Sequence, residues 1–155
     1  MRILGIDYGD SRTGIAMTDP LNITAQGFET IHNNGSDKII LRRLDEIFEK
    51  YEIDTIVIGR PINMNGTESE RTIITEKFIH KLKCKYNKLK IEIIDERLTT
   101  VAAHKTMNYL NIDKKKKKEI VDTISAVYIL ETYMKKQENK WILFENNETI
   151  KVKRY

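Results

Sequence analysis

Apolar positions along this chain recur in two periods. Residues 1–6 and 14–18 are short apolar runs separated by DYGDSRT at 7–13, a stretch dense in turn formers. They predict an antiparallel hairpin with a loose connection. Residues 23–31 predict a third strand, less sharply patterned. From Ser36 the spacing becomes helical, with Ile40, Leu44, Ile47, Phe48 and Tyr51 on one side. Residues 55–58 are a β-branched run ending at Gly59, the pattern of a strand buried on both faces. Thr67 with Glu70 has the form of a capping box, opening a second helix with Ile74, Phe78 and Leu82 on its apolar side. Residues 91–94 are another buried strand, followed by a short helix from Thr99 or Thr100 to about Tyr109. A longer helix is expected over about 116–134, turning Ile120, Ile124, Val127 and Tyr128 to the core. Residues 141–144 and 149–152, joined through Asn146 and Asn147, predict a terminal hairpin.

Three hairpin-linked strands followed by alternating helix and strand predict an α/β fold built on a mixed five-stranded sheet. It should be antiparallel at the start and parallel afterwards, with helices on both faces. Residues 1–138 then form one domain, and 139–155 a C-terminal hairpin or tail extension. Ligands in such sheets sit at the carboxyl ends of the parallel strands, near the point where the strand order reverses.

Composition narrows the class. At 155 residues the chain is about one domain, able to bury roughly two thirds of its unfolded surface without disulfides. No stretch approaches the ~18 apolar residues of a membrane span, and the first strand begins at Arg2 with no cleavage-site pattern before it. A cytoplasmic protein without membrane partners is expected. The single cysteine, Cys84, excludes an internal disulfide and reads as packing or partial surface. His32, His80 and His104 show no metal-ligand spacing, and the seven tyrosines are too scattered to form a stacking platform for single-stranded RNA. The net charge of +4 is concentrated at 114–118 and at Lys151, Lys153 and Arg154. Such clusters suit a phosphate backbone, although a Lys-, Asn- and Ile-rich codon bias produces the same balance.

The acids stand out by position. Asp7 ends the first strand, Asp95 and Glu96 end the last core strand, and Asp122 lies on the long helix with Ser125 and Ala126 one turn on. Carboxylates at two strand ends and on a facing helix can converge, and a bare cluster repels itself unless a cation joins it. Oxygen-only ligands favour Mg²⁺ or Mn²⁺ over zinc. Two such ions about 4 Å apart activate a water and stabilise the leaving oxygen in phosphodiester displacement. Each acid also has an ordinary reading: Asp7 capping a turn, Asp95 paired with Arg97, Asp122 solvated.

Four segments resemble the YqgF (RuvX-type) family of Holliday-junction resolvase-like proteins and pre-16S ribosomal RNA nucleases. They are GIDYG at 5–9 with RTGIA at 12–16; GRPIN at 59–63 with Gly66; DERLTT at 95–100; and VDTISA at 121–126 with Ile129, Leu130 and Tyr133. The resemblance covers about residues 1–134 and departs from the family at Arg60, usually Leu, and at Asn65, often Asp. It implies a ribonuclease H-like fold and metal-dependent phosphodiester hydrolysis. The family's catalytic acids fall on Asp7, on Glu96 or its neighbour Asp95, and on Asp122, with Glu96 favoured; all four are candidate metal ligands. Arg12, Arg60, Asn63, Arg97 and Ser125 are candidate substrate contacts. Maturation of the 5′ end of precursor 16S ribosomal RNA is the leading function. A Holliday-junction DNA resolvase and a non-catalytic ribosome-assembly or transcription-associated RNA-binding factor are the alternatives. A two-domain phosphate-binding fold of the actin and sugar-kinase type is disfavoured by chain length. No apolar stripe commits the chain to a dimer, so a monomer or weak homodimer is expected.

Overall fold

A computed structural model describes the backbone of residues 1–96 and 114–146, and the side chains of 1–96 and 120–138. Strands β1 (Arg2–Asp7), β2 (Arg12–Thr18) and β3 (Ala25–His32) form an antiparallel meander. Helix α1 (Asp37–Lys50), strand β4 (Ile53–Arg60), helix α2 (Glu70–Lys85) and strand β5 (Lys90–Asp95) follow, and helix α3 runs from Lys114 to Asn146. The five strands lie in the order β3-β2-β1-β4-β5, with β4 parallel to both β1 and β5. The mixed sheet expected from the patterning is therefore present.

Strand alternation divides the core in two. Leu4, Ile6, Ile15, Ile56 and Ile58 pack against Ile40, Leu44 and Ile47 of α1 and Phe78, Ile79 and Leu82 of α2. On the opposite face Ala16, Val57 and Ile94 pack against Ala126, Ile129, Leu130 and Tyr133 of α3. Helices cover both faces. Among the described residues no helix is long and apolar enough to cross a membrane.

Three local expectations change. The α2 cap is Ser69, whose side chain accepts from the Thr72 amide while Thr72 Oγ1 accepts from the Ser69 amide. Thr67 cannot serve there, because its hydroxyl and amide both bond Asn65 Oδ1, at 2.7 and 3.1 Å, in the preceding turn. The helix accordingly buries Thr72, Thr75, Phe78, Ile79 and Leu82 and exposes Ile74. On α3 the most buried side is Ser125, Ala126, Ile129, Leu130 and Tyr133, while Ile120, Ile124, Val127 and Tyr128 are half-buried. Small residues win this face because the sheet beneath is lined by glycines that admit close approach. Finally, residues 141–144 continue α3 instead of starting a hairpin. No Gly or Pro interrupts 114–146, so nothing in the chain stops the helix earlier. The second hairpin strand, 149–152, and the short helix expected near 99–109 lie outside the described residues.

Candidate active site

The parallel strands β1, β4 and β5 end on one edge of the sheet, and a cleft of about 390 Å³ opens there. It is lined by Asp7, Glu96 and Asp122, by Tyr8 and Asp10 of the β1–β2 loop, by Arg12 at the start of β2, and by Pro61, Arg71 and Ser125 among others. A larger groove of about 990 Å³ lies at the far end, beside Met1, Tyr51 and Tyr86. Lys85 there is paired with Asp45 at 2.7 Å, and none of the strand-end acids lines it.

Alternation decides which strand-end acid enters the cleft. Gly5 and Asp7 share the face covered by α3, since a Cβ on Gly5 would meet Leu130 and Ala126. Glu96 lies on that face too: a Cβ on Gly59 would sit 2.5 Å from Glu96 Oε1 and 2.7 Å from Ile129. Asp95, register partner of Arg60, alternates to the α2 side and does not line the cleft. Asp122 is brought in by the tight contact between α3 and β2. A Cβ on Gly14 would lie 2.0 Å from the Asp122 carbonyl oxygen, and Gly14 pairs with Asp7 across the β1–β2 ladder.

The electrostatics follow from this crowding. Burial pushes the Asp7 carboxyl well above the usual carboxylate range, and the negative charges of Glu96 and Asp122 push it further. Glu96 is raised as well, chiefly by burial, while its hydrogen bond with Asp7 and the nearby Arg71 partly offset the rise. The hydrogen bond between the two carboxyls raises Asp7 and lowers Glu96, which favours Asp7 as the donor and Glu96 as the acceptor. Asp122 is ion-paired with Arg12, Nε to Oδ2 at 2.9 Å. Among the described residues no three acidic, His or Cys side chains already form a group that could hold a metal ion.

The cleft loop is strapped from behind by a residue the sequence did not single out. Asn33, 1% exposed, donates to the carbonyls of Gly9 at 3.0 Å and Asp10 at 2.9 Å and accepts from Thr13 Oγ1 at 3.1 Å. Asn33→Ala removes all three bonds, leaving the Asp10 carbonyl only the Gly35 amide at 2.6 Å and the Gly9 carbonyl only the long 3.5 Å contact with Thr13 Oγ1. It is expected to cost about 2 kcal/mol, readable as a thermal midpoint lower by roughly 4–8 °C.

Of the other expected contacts, Arg12 and Ser125 line the cleft. Arg60 points to α2, ion-paired with Glu68 at 2.8 Å and Glu76 at 2.5 Å. Asn63 is engaged in an exposed turn with Thr67, Nδ2 to Oγ1 at 3.0 Å. Neither lines the cleft, and Arg97 lies outside the described residues. Among the cleft residues that were not site candidates are Asp10, Tyr8, stacked on Phe78 with centroids 4.3 Å apart, and Arg71 at the start of α2. No spacing rule marks any of them.

A family model described as RuvX, Holliday junction resolvase, matches residues 1–136. A protein of Ruminiclostridium cellulolyticum, provisionally named a pre-16S rRNA nuclease, is 56% identical over 134 residues, covering 86% of this chain and 94% of its own. One from Acetivibrio thermocellus with the same provisional name is 48% identical, covering 86% and 95%. Among solved structures, the fowlpox virus Holliday junction resolvase superposes with a TM-score of 0.54 at 16% identity, covering 88% of this chain and 99% of that one. RuvC of T. thermophilus, in complex with a Holliday junction, superposes with a TM-score of 0.52 at 10% identity, covering 86% and 96%. At such identities the likeness concerns the fold, which is the ribonuclease H-like fold expected from the sequence.

Proposed function

The chain belongs to the RuvX family, and from that premise we propose that it is a nuclease hydrolysing nucleic-acid phosphodiesters, with precursor 16S ribosomal RNA as its substrate. The observation that carries this reading is the pair of mutually hydrogen-bonded carboxyls, Asp7 and Glu96, set in the strand-end cleft with Asp122 near enough to raise Asp7. Such a pair keeps a proton because two adjacent charges cannot both be solvated there; a divalent cation in the proton's place satisfies both. The donor set fits: among the described residues the cleft offers carboxylate and hydroxyl oxygens and no His or Cys, which favours Mg²⁺ or Mn²⁺. Asp7 and Glu96 would hold the ion, and Asp122 would join on release from Arg12. Once bound, the cation supplies Lewis-acid activation of a water and neutralises charge on the phosphate.

The chain's own groups supply the rest. With the cation in the proton's place, a carboxylate oxygen of Asp7 or Glu96 would be available to accept a proton from the attacking water. Arg12, once separated from Asp122, is free to meet a phosphate oxygen on the same wall. Attack by water with the 3′-oxygen as leaving group would leave 5′-phosphate and 3′-hydroxyl ends. Precursor RNA is the favoured substrate because both curated relatives described above carry that name. Junction DNA is the second reading, favoured by the description of the matching family, and it requires a dimer that nicks two strands symmetrically.

The test is incubation of the protein with Mn²⁺ and labelled substrates: a precursor 16S 5′ leader, single-stranded RNA and DNA, and a four-way DNA junction. Cleavage of the leader, abolished by chelator, is the expected result. Cleavage of the junction alone selects the second reading, a 2′,3′-cyclic phosphate product refutes attack by water, and tight binding without any cleavage identifies a non-catalytic factor.

A further inference from the structure

A phosphodiester entering this cleft meets the carboxyls of Asp7, Glu96 and Asp122, so something cationic in the protein must receive it. Arg12, the cation on the α3 side, is already bonded to Asp122. Arg71 stands on the other side and is built differently. Its Nη1 donates to Asp10 Oδ1 at 2.6 Å and its Nη2 donates to the Tyr8 carbonyl, while the guanidinium lies over the Tyr8 ring, 5.4 Å from the centroid. That ring is itself fixed, stacked on Phe78 with a 9° interplanar angle and bonded through its hydroxyl to Asp37 at 2.6 Å. The backbone beneath is fixed too. Thr72, next in the chain, is fully buried and donates to the Pro61 carbonyl at 2.5 Å, which pins the first turn of α2 to the end of β4.

Local stability does not account for this arrangement. A cation in the first turn of a helix opposes the helix dipole. The partner carboxylate of Asp10 is 74% exposed, and exposed ion pairs contribute little. What the contacts do provide is a guanidinium held in one plane, with two of its five N–H donors engaged and three left over. A planar fork of that kind matches phosphate oxygens in pairs. Its charge reaches the reacting end of the cleft, since it lowers both Asp7 and Glu96.

We propose that Arg71, oriented by Asp10 and Tyr8, is the phosphate-binding residue on the α2 wall of the cleft, seating a backbone phosphate of the nucleic acid beside Asp7 and Glu96. This rests on the nuclease reading and names a residue that delivers substrate to it. Asp10 and Tyr8 act as positioning residues for the guanidinium.

The test compares wild type with Arg71→Gln, Arg71→Lys and, as a control far from the cleft, Arg43→Gln, whose ion pairs are with Glu29 and Glu46. Two quantities are measured: steady-state cleavage of whichever substrate is cut, and binding of the labelled 5′ leader in chelator across a salt series. Arg71→Gln is expected to weaken binding about tenfold or more, mainly through KM, and to reduce the slope of log K against log salt by about 0.7–0.9, the loss of one phosphate contact. Arg71→Lys should restore the slope and only part of the affinity, and Arg43→Gln should match wild type. An Arg71→Gln protein with wild-type KM and slope overturns the proposal while leaving the nuclease reading intact. So does a loss that follows a lowered thermal midpoint and is equal in Arg71→Lys, because that marks a strut for the loop. Failure of wild type to bind or cleave any of the panel overturns the nuclease reading, and this proposal with it.

Discussion

Asp7→Asn is expected to reduce cleavage by about 10³-fold or more while leaving the protein, in chelator at neutral pH, more stable than wild type. The two effects have one cause. Folding places the Asp7 carboxyl beside Glu96 and Asp122 and raises its pKa well above the ordinary 3.8. An acid with a raised folded pKa binds its proton more tightly when folded. Its opposition to folding therefore begins as pH rises past the unfolded value, grows until pH passes the folded value, and is constant above that. Each unit of the rise corresponds to about 1.4 kcal/mol. Asparagine carries no charge, so the variant lacks this pH slope and keeps the amide–carboxylate hydrogen bond to Glu96. Urea midpoints at a series of pH values from acid to neutral, without divalent ions, check it: wild type should lose stability over that range and Asp7→Asn should lose less. Added Mn²⁺ should then raise the wild-type midpoint, by about 2.7 kcal/mol at a hundredfold excess over Kd, and leave the variant nearly unmoved. A variant that is both inactive and less stable in chelator would place Asp7 in the fold's support instead of its chemistry.

Gly14→Ala is expected to destabilise the protein by about 3 kcal/mol and to impair cleavage at temperatures where it remains folded. The added methyl would lie 2.0 Å from the Asp122 carbonyl oxygen and 2.4 Å from its carbonyl carbon. These are backbone atoms of a helix whose neighbouring residues are packed on β1 and β4, so no side-chain rotation relieves the clash and α3 must move as a body. Displacing α3 carries Asp122 away from Asp7 and uncovers Ala126 and Leu130. For a chain of this size the loss corresponds to a midpoint lower by roughly 6–12 °C, measurable by calorimetry. A Gly14→Ala protein with unchanged midpoint and full activity would show that α3 does not rest on β2 as described.

Both predictions begin from residues that looked unequal in the sequence. Asp7 was legible because the apolar run before it marks a strand and the turn formers after it mark the strand's end. Gly14 lies inside a short apolar run, and nothing local shows that a helix over a hundred residues away rests on it. The choice between Asp95 and Glu96 was open for a similar reason. Alternation guarantees that adjacent residues face opposite ways, but which way is settled by the packing of Ile94 against α3 and of Arg60 against Glu68 and Glu76. On α3 the larger apolar residues drew attention to the wrong stripe; a sheet face built on Gly5, Gly14 and Gly59 admits Ser125 and Ala126 instead.

The sequence by itself determined the order of elements through β5, the mixed sheet, and the positions of Asp7, Glu96 and Asp122 at element ends or on the long helix, and its motifs carry the family. The elements depend on periodicity and turn chemistry within a few residues, and the family on short motifs in a fixed order; both are read along the chain. Tertiary structure alone decided that Asp7 and Glu96 meet in a hydrogen bond, that Arg12 holds Asp122 from 110 positions away, and that Arg71 reaches Asp10 across 61. Those pairings arise when β4 is laid beside β1 and α3 across both, so their distances are properties of packed layers that no local stretch of chain contains.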